Sequence, residues 1–252
     1  MEAFTISIAG LHAQIHPLFL STREYCKKYL SQNQPEISVS VSPEDLLYEQ
    51  AMLDIEAEEE GLKRRKFTDP FLERAAIQRK IADALFDRNV LMVHGSTVAL
   101  DGAAYMFTAS CGTGKSTHTR LWREKFGERA VMVNDDKPFL EVRADFVIAH
   151  GSPWSGKHGL DTNISVPLKG ICILQRGPEN LIRPLEAKDA MAMLLHQSYV
   201  PKENRERGTV LLEQLTHIVP LWEMACTKEE QAAVVAYRAM SGLLSGEQIA
   251  QG

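Results

Sequence analysis

The chain has 252 residues, a formal net charge of −5, 44% hydrophobic residues and 24% charged ones. These are the proportions of an ordinary globular protein, which excludes a largely disordered chain, and the acidic balance offers no overall field to nucleic acid or to an anionic membrane. Cys26, Cys111, Cys172 and Cys226 are too widely spaced for a zinc motif or a dense disulfide framework, and no basic, apolar leader or long apolar run is present. The expectation is a reduced, soluble, cytoplasmic protein without nucleic-acid or membrane partners.

Phe4 to Ile15 alternates loosely and predicts a strand closed by His16-Pro17. Leu18 to Leu30 is helix-like, and Glu36 to Val41 alternates strictly enough for a short strand. Ser42-Pro43-Glu44-Asp45 is a helix start, with serine as cap, proline in the first helical position and carboxylates in the first turn. That helix runs into Glu56-Ala57-Glu58-Glu59-Glu60 and then Lys63-Arg64-Arg65-Lys66, a solvated face and connection. Thr68-Asp69-Pro70 opens another helix, carrying Phe71, Leu72, Ala75, Ile77, Ile81, Leu85 and Phe86 at mostly helical spacing.

From Val90 the texture changes. Apolar, strand-like runs alternate with glycine loops around one early helix, the pattern of an α/β sheet with buried strands. A boundary near residue 88 separates a small α+β region (1–88) from a larger core with a helical tail (89–252). In the tail, helices are predicted over Glu186 to Tyr199, around Val210 to Thr216 and over Thr227 to Leu244, with a strand at Leu221 to Cys226. Thr227 and Glu230 have the spacing of a capping box.

The most informative segment joins a predicted strand (Tyr105 to Thr108) to a predicted helix (Ser116 to Phe126). It reads Ala109-Ser-Cys-Gly-Thr-Gly-Lys-Ser-Thr117. The Gly112-Thr113-Gly114-Lys115-Ser116 core in that setting is a phosphate-binding loop. Glycines allow the tight turn, amides point at phosphate oxygens, and the helix adds its positive end. Ala109 stands where the full pattern has its first glycine, and serves there if its φ stays negative. Gly112, Thr113, Gly114, Lys115, Ser116 and Thr117 are therefore assigned to ATP, with Lys115 open to the β/γ phosphates and Ser116 on Mg²⁺. Cys111 within the loop is read as a small packed side chain.

After that helix, Ala130 to Val133 ends in Asn134-Asp135-Asp136-Lys137. Carboxylates at a strand end beside the phosphate loop suit Mg²⁺, and a hydroxyl acceptor needs a base. Two adjacent aspartates could divide these roles, with Asp135 as metal ligand alongside Ser116. His94-Gly95, Ser110-Cys-Gly-Thr-Gly-Lys-Ser116 and Asn134-Asp135-Asp136 together resemble the HPr serine kinase/phosphorylase family and the bacterial proteins related to it. The resemblance implies a nucleotide-binding core of the HPr kinase/phosphoenolpyruvate carboxykinase type. It implies ATP and Mg²⁺ held by Lys115 and Ser116, and Asp135 or Asp136 as base toward a serine hydroxyl. His94 takes the place of the family's phosphate-proximal histidine, and a homo-oligomer becomes an option. Cys111 stands where these kinases usually have serine.

A second polar loop, Gly151 to Asn163, lies between two strand-like runs. Lys157 and His158 supply charge, Ser155 and Asn163 supply neutral hydrogen bonds, and Trp154 would be costly to leave exposed. The loop is assigned to closure over the γ-phosphate or acceptor. Arg176, directly after the strand Ile171 to Gln175, could reach the same site, but is read by preference as a solvated strand-end arginine. The expected activity is an ATP-dependent kinase acting on a hydroxyl of a small molecule, peptide or protein. The alternatives are an ATP-binding regulatory module with slow hydrolysis and a protein partner, and a decarboxylating kinase with a metal at His94 and His158.

Overall fold

A computed structural model describes residues 1–59 and 61–243, so the predicted helix end at Leu244 lies outside the described residues. The chain divides into two compact units, Met1–Asp87 and Arg88–Gly252.

In the first unit the predicted single strand is two, β1 (Phe4–Ile8) and β2 (Leu11–His16), paired antiparallel. Ala9 and Gly10 both take positive φ, 49° and 77°, which is the two-residue hairpin geometry whose twist matches its strands. Phe4, Ile6, Ile8, Leu11, Ala13 and Ile15 alternate into the core. The helix predicted from Leu18 to Leu30 is shorter, α1 (Leu20–Tyr25), followed by a 3₁₀ turn at Lys27–Tyr29. β3 (Ile37–Ser40) joins β2 in parallel. In front of α2 (Pro43–Glu59), Ser42 Oγ accepts the Asp45 amide (3.3 Å) and the Asp45 carboxylate accepts the Ser42 amide (2.9 Å). This reciprocal cap satisfies two amides that a helix start leaves without partners. α3 (Asp69–Phe86) buries Leu72, Ile77, Ile81 and Leu85, and its fully buried Glu73 accepts the Leu18 amide and the Thr22 hydroxyl.

The second unit contains, in chain order, β4 (Val90–Val93), β5 (Ser96–Leu100), β6 (Ala103–Thr108), α4 (Lys115–Phe126), β7 (Ala130–Asn134), β8 (Phe139–Val142), β9 (Val147–His150), β10 (Ser165–Arg176), β11 (Leu181–Pro184), α5 (Ala187–Gln197), β12 (Ser198–Tyr199), α6 (Arg205–Ile218), β13 (Leu221–Cys226) and α7 (Gln231–Met240). Its strands form one mixed ten-stranded sheet in the order β12-β4-β8-β9-β10-β6-β5-β7, with β13 also on β10 and β11 on β13. The long β10 organises it. Its first residues pair antiparallel with β9, whereas Ile171 to Ile173 lie parallel between β6 and β13. α4 and α7 contribute Leu121, Trp122, Ala232, Ala236 and Met240 to a core shared with Tyr105, Phe107 and Met132, and the Tyr237 ring meets Trp122 edge-on at 5.7 Å.

β8 and β11 are strands that alternation did not reveal, because each is four residues long beside proline or turn residues. The predicted capping box at Thr227 is a turn instead. Thr227 Oγ1 accepts the Glu229 amide, two residues on, and α7 begins only at Gln231. No described helix is long and apolar enough to cross a membrane.

Candidate functional site

β6 is buried along nearly its whole length and delivers the chain into the glycine-rich loop, from which α4 starts at Lys115. Ala109 keeps negative φ and is buried. Gly112 and Gly114 take φ of 71° and 126°, conformations that a β-carbon would strain. The first amides of α4 have no acceptor within the helix, and its first turn carries no carboxylate, so the positive end stays open to an anion. Ser116 is exposed and Thr117 half-buried. Lys115 is more enclosed than expected: it is buried and its Nζ donates to the Ala109 carbonyl at 3.1 Å. The loop lysine thus lies back along the loop.

Arg176, read from the sequence as a solvated strand-end arginine, anchors the loop instead. At the end of β10, the Arg176 guanidinium donates to the carbonyls of Gly112 (2.6 Å) and Thr113 (3.4 Å). The signal available was topological: β10 runs parallel to β6, so its last residue emerges beside the loop.

At the end of β7 the three residues of the Asn-Asp-Asp run do different work. Asn134 is fully buried. Its Oδ1 accepts the amides of Asp136 and Lys137 (2.7 Å each), and its Nδ2 donates to the Ser152 carbonyl, Ser152 Oγ and the Trp154 carbonyl. It is both the turn former and the tie to the second polar loop. Asp135 is buried, and its Oδ1 accepts from Ser96 Oγ (2.6 Å), which is also 2.7 Å from Thr119 Oγ1 on α4. This hydroxyl pair links the carboxylate to the helix that starts at the loop.

Asp136 is only partly buried and faces His94, with Nε2 3.2 Å from Oδ1. Gly95 ties the two strand ends together. Its amide donates to the Asp136 carbonyl (2.9 Å), and a β-carbon there would lie 2.3 Å from Met106 Cε. Burial lowers His94 below the ordinary histidine value, aided by Lys137 and Lys115 against the pull of Asp136. For Asp136 burial pushes upward, but His94, Lys137 and Lys115 together hold the carboxyl below its usual range. The pair is therefore a neutral imidazole donating to a carboxylate. Lys115 bears on both groups, which brings the glycine-rich loop and the Asp136 end of the sheet into one electrostatic site.

The second polar loop closes onto the same strand end. The Asp135 amide donates to the Leu160 carbonyl, the Thr162 amide to the Val133 carbonyl, and a β-carbon on Gly156 would lie 3.4 Å from Asp136 Cβ. Within it, Ser155 is buried and its hydroxyl donates to Asp161 (2.6 Å), so it braces the loop instead of facing outward. Trp154, costly to leave exposed, is a core anchor packed edge-on to Phe139. Lys157, His158 and Asn163 are exposed. The described residues contain no group of three or more His, Cys, Asp or Glu side chains arranged to hold a metal, and His158 lies exposed on a 3₁₀ turn. The Ser116 hydroxyl is exposed, and the second carboxylate oxygen of Asp135 makes no hydrogen bond among the described residues.

Fold and site together define a mixed α/β protein in which a strand–loop–helix unit and an acidic strand end lie at the same end of the strands of one sheet. The chain belongs to the family of the SynChlorMet cassette protein ScmC, whose match spans residues 74–205, a little over half of the chain, and includes the glycine-rich loop, the Asp pair and the second polar loop. No curated protein matches it by sequence. Among solved structures, the HPr(Ser) kinase/phosphatase from Coxiella burnetii is similar with a TM-score of 0.37 and 10% identity, over 62% of this chain and 98% of that one.

Proposed function

We propose that this protein is an ATP- and Mg²⁺-dependent phosphotransferase acting on a hydroxyl of serine type, carried by a small molecule, peptide or protein. One observation carries the reading: an open helix N-terminus behind a Gly112/Gly114 turn lies in the same electrostatic site as a carboxylate held by a neutral histidine. Loop amides and Lys115 would bind the phosphates, with the lysine leaving the Ala109 carbonyl for them. Ser116 and Asp135 would hold Mg²⁺, which when bound neutralises charge on the phosphates. Asp136 is the candidate base. It is ionised, oriented by His94, and beside the exposed part of the polar loop, where an acceptor would enter. Its weak basicity fits a loose transition state in which the proton leaves late. Lys157 and His158 would close over the acceptor.

The test is transfer of label from γ-labelled ATP to a panel of serine-bearing small molecules, peptides and proteins. Acceptor-dependent label that disappears in Asp136→Asn supports the proposal. ATP binding with release of free phosphate alone, whatever the acceptor, would replace it with the regulatory module.

A further inference from the structure

We infer that Ser165, His150 and Glu141 form a second reactive site, a nucleophilic serine that takes acyl or phosphonyl groups activated by a good leaving group. The site lies on the strands β8, β9 and β10, outside the loop-and-aspartate site. Register brings the three together: His150 is paired directly with Ser165 on one side and with Phe139 on the other, and Glu141 follows Phe139 by two residues, on the same face. His150 Nδ1 is 2.8 Å from Ser165 Oγ, and His150 Nε2 is 3.2 Å from Glu141 Oε2.

These contacts fix the proton positions. Arg143 donates to both oxygens of Glu141 (2.8 and 3.1 Å), and although burial works against it, this cation with His150 holds the carboxyl below its usual range. An ionised carboxylate only accepts, so Nε2 of His150 carries the ring proton. Burial, chiefly, keeps His150 below the ordinary histidine value despite Glu141, so the ring is neutral near pH 7 and Nδ1 holds a lone pair. The Ser165 hydroxyl must then donate to it. A serine hydroxyl donating to a neutral imidazole, itself oriented by a carboxylate, here the half-buried Glu141, is the arrangement that generates a nucleophile, recognisable by geometry and not by chain order. Ser165 is exposed while His150 is 5% exposed, so a reagent can reach the oxygen while the base stays shielded.

In the step itself Ser165 Oγ forms the bond to the electrophilic carbon or phosphorus, and its proton passes to His150 Nδ1. The bond to the leaving group breaks, and that group departs with the electron pair. The resulting imidazolium is stabilised by Glu141, which is a positioning residue. The test uses the full chain and a fluorophosphonate probe, in which the P–F bond breaks and fluoride leaves, read by intact mass and peptide mapping. Ser165 should be labelled about 10²-fold faster than other exposed serines, and lose that advantage in urea. His150→Gln should remove it, Glu141→Gln should lower it about tenfold, and Glu141→Asp should restore part of it, with melting temperature followed in each variant. Labelling of native Ser165 no faster than of other serines, or undiminished in His150→Gln, would overturn the inference and leave the three residues as a tie between strands. Loss of transfer from ATP would not bear on it.

Discussion

Acidification should weaken the second unit through its buried histidines, of which His118 is shifted furthest. It sits in the first turns of α4, its ring tilted against Phe107 at 4.4 Å between centroids, 2% exposed, with no hydrogen-bond partner at either ring nitrogen among the described residues. Burial lowers it from 6.5 to about 4. The folded state therefore keeps the ring neutral while the unfolded chain binds a proton below pH 6.5. The contribution of His118 to stability is complete above pH 6.5, is lost as pH drops toward about 4, and changes no further below that. At about 1.4 kcal/mol per tenfold, the full loss is about 3 kcal/mol. Carboxylates titrate nearby, so the informative quantity is the difference between wild type and His118→Phe, which keeps a ring against Phe107. Urea unfolding followed by tryptophan fluorescence isolates this unit, because Trp122, Trp154 and Trp222 all lie in it. The two stability curves should diverge by about 3 kcal/mol between pH 6.5 and 4. Parallel curves would mean the imidazole has a partner or reaches water in the folded protein.

Asp135→Asn and Asp136→Asn should each lower transfer by about 10² or more, with ATP affinity retained in the second and the Mg²⁺ requirement altered only in the first, as titration calorimetry and metal-dependent kinetics would record. Arg176→Ala, which frees the Gly112 and Thr113 carbonyls, should weaken ATP binding about three- to tenfold, and unchanged affinity would make Arg176 a surface arginine. Lys157→Ala should depress kcat/KM for transfer by about 1–3 kcal/mol with far less effect on ATP affinity, whereas equal losses would put Lys157 in the nucleotide site. Asn134→Ala leaves two amides and a serine–tryptophan segment without their buried partner and should cost about 2–4 kcal/mol in urea unfolding.

What could be read in the sequence was what is contiguous in it. The glycine-rich loop and the Asn-Asp-Asp run each carry their own local chemistry, and β13 was legible because Leu221 to Cys226 is apolar except at Glu223 and bounded by proline and threonine. What comes together across the chain was not legible. Ser96 reaches Asp135 only because β5 pairs with β7, and Arg176 reaches Gly112 only because β10 is parallel to β6. Glu73 reads as one more helix carboxylate until Leu18 and Thr22 close on it. Local signals also misled where two structures share a pattern. Thr227 and Glu230 fit a cap that folds as a turn, and Ala9, an uncommon residue at positive φ, hid a hairpin inside one alternating run.

β10 imposes an order on synthesis. Its segment Ile171-Cys172-Ile173-Leu174 is apolar and needs two parallel neighbours, but one of them, Leu221–Cys226, leaves the ribosome only after α5 and α6 have been made. Until then the nascent chain carries an uncovered, β-branched strand edge, the feature that invites pairing between chains. Shortening the gene from its 3′ end past the codons of β13 would make that transient edge permanent, yielding aggregates instead of a smaller folded protein.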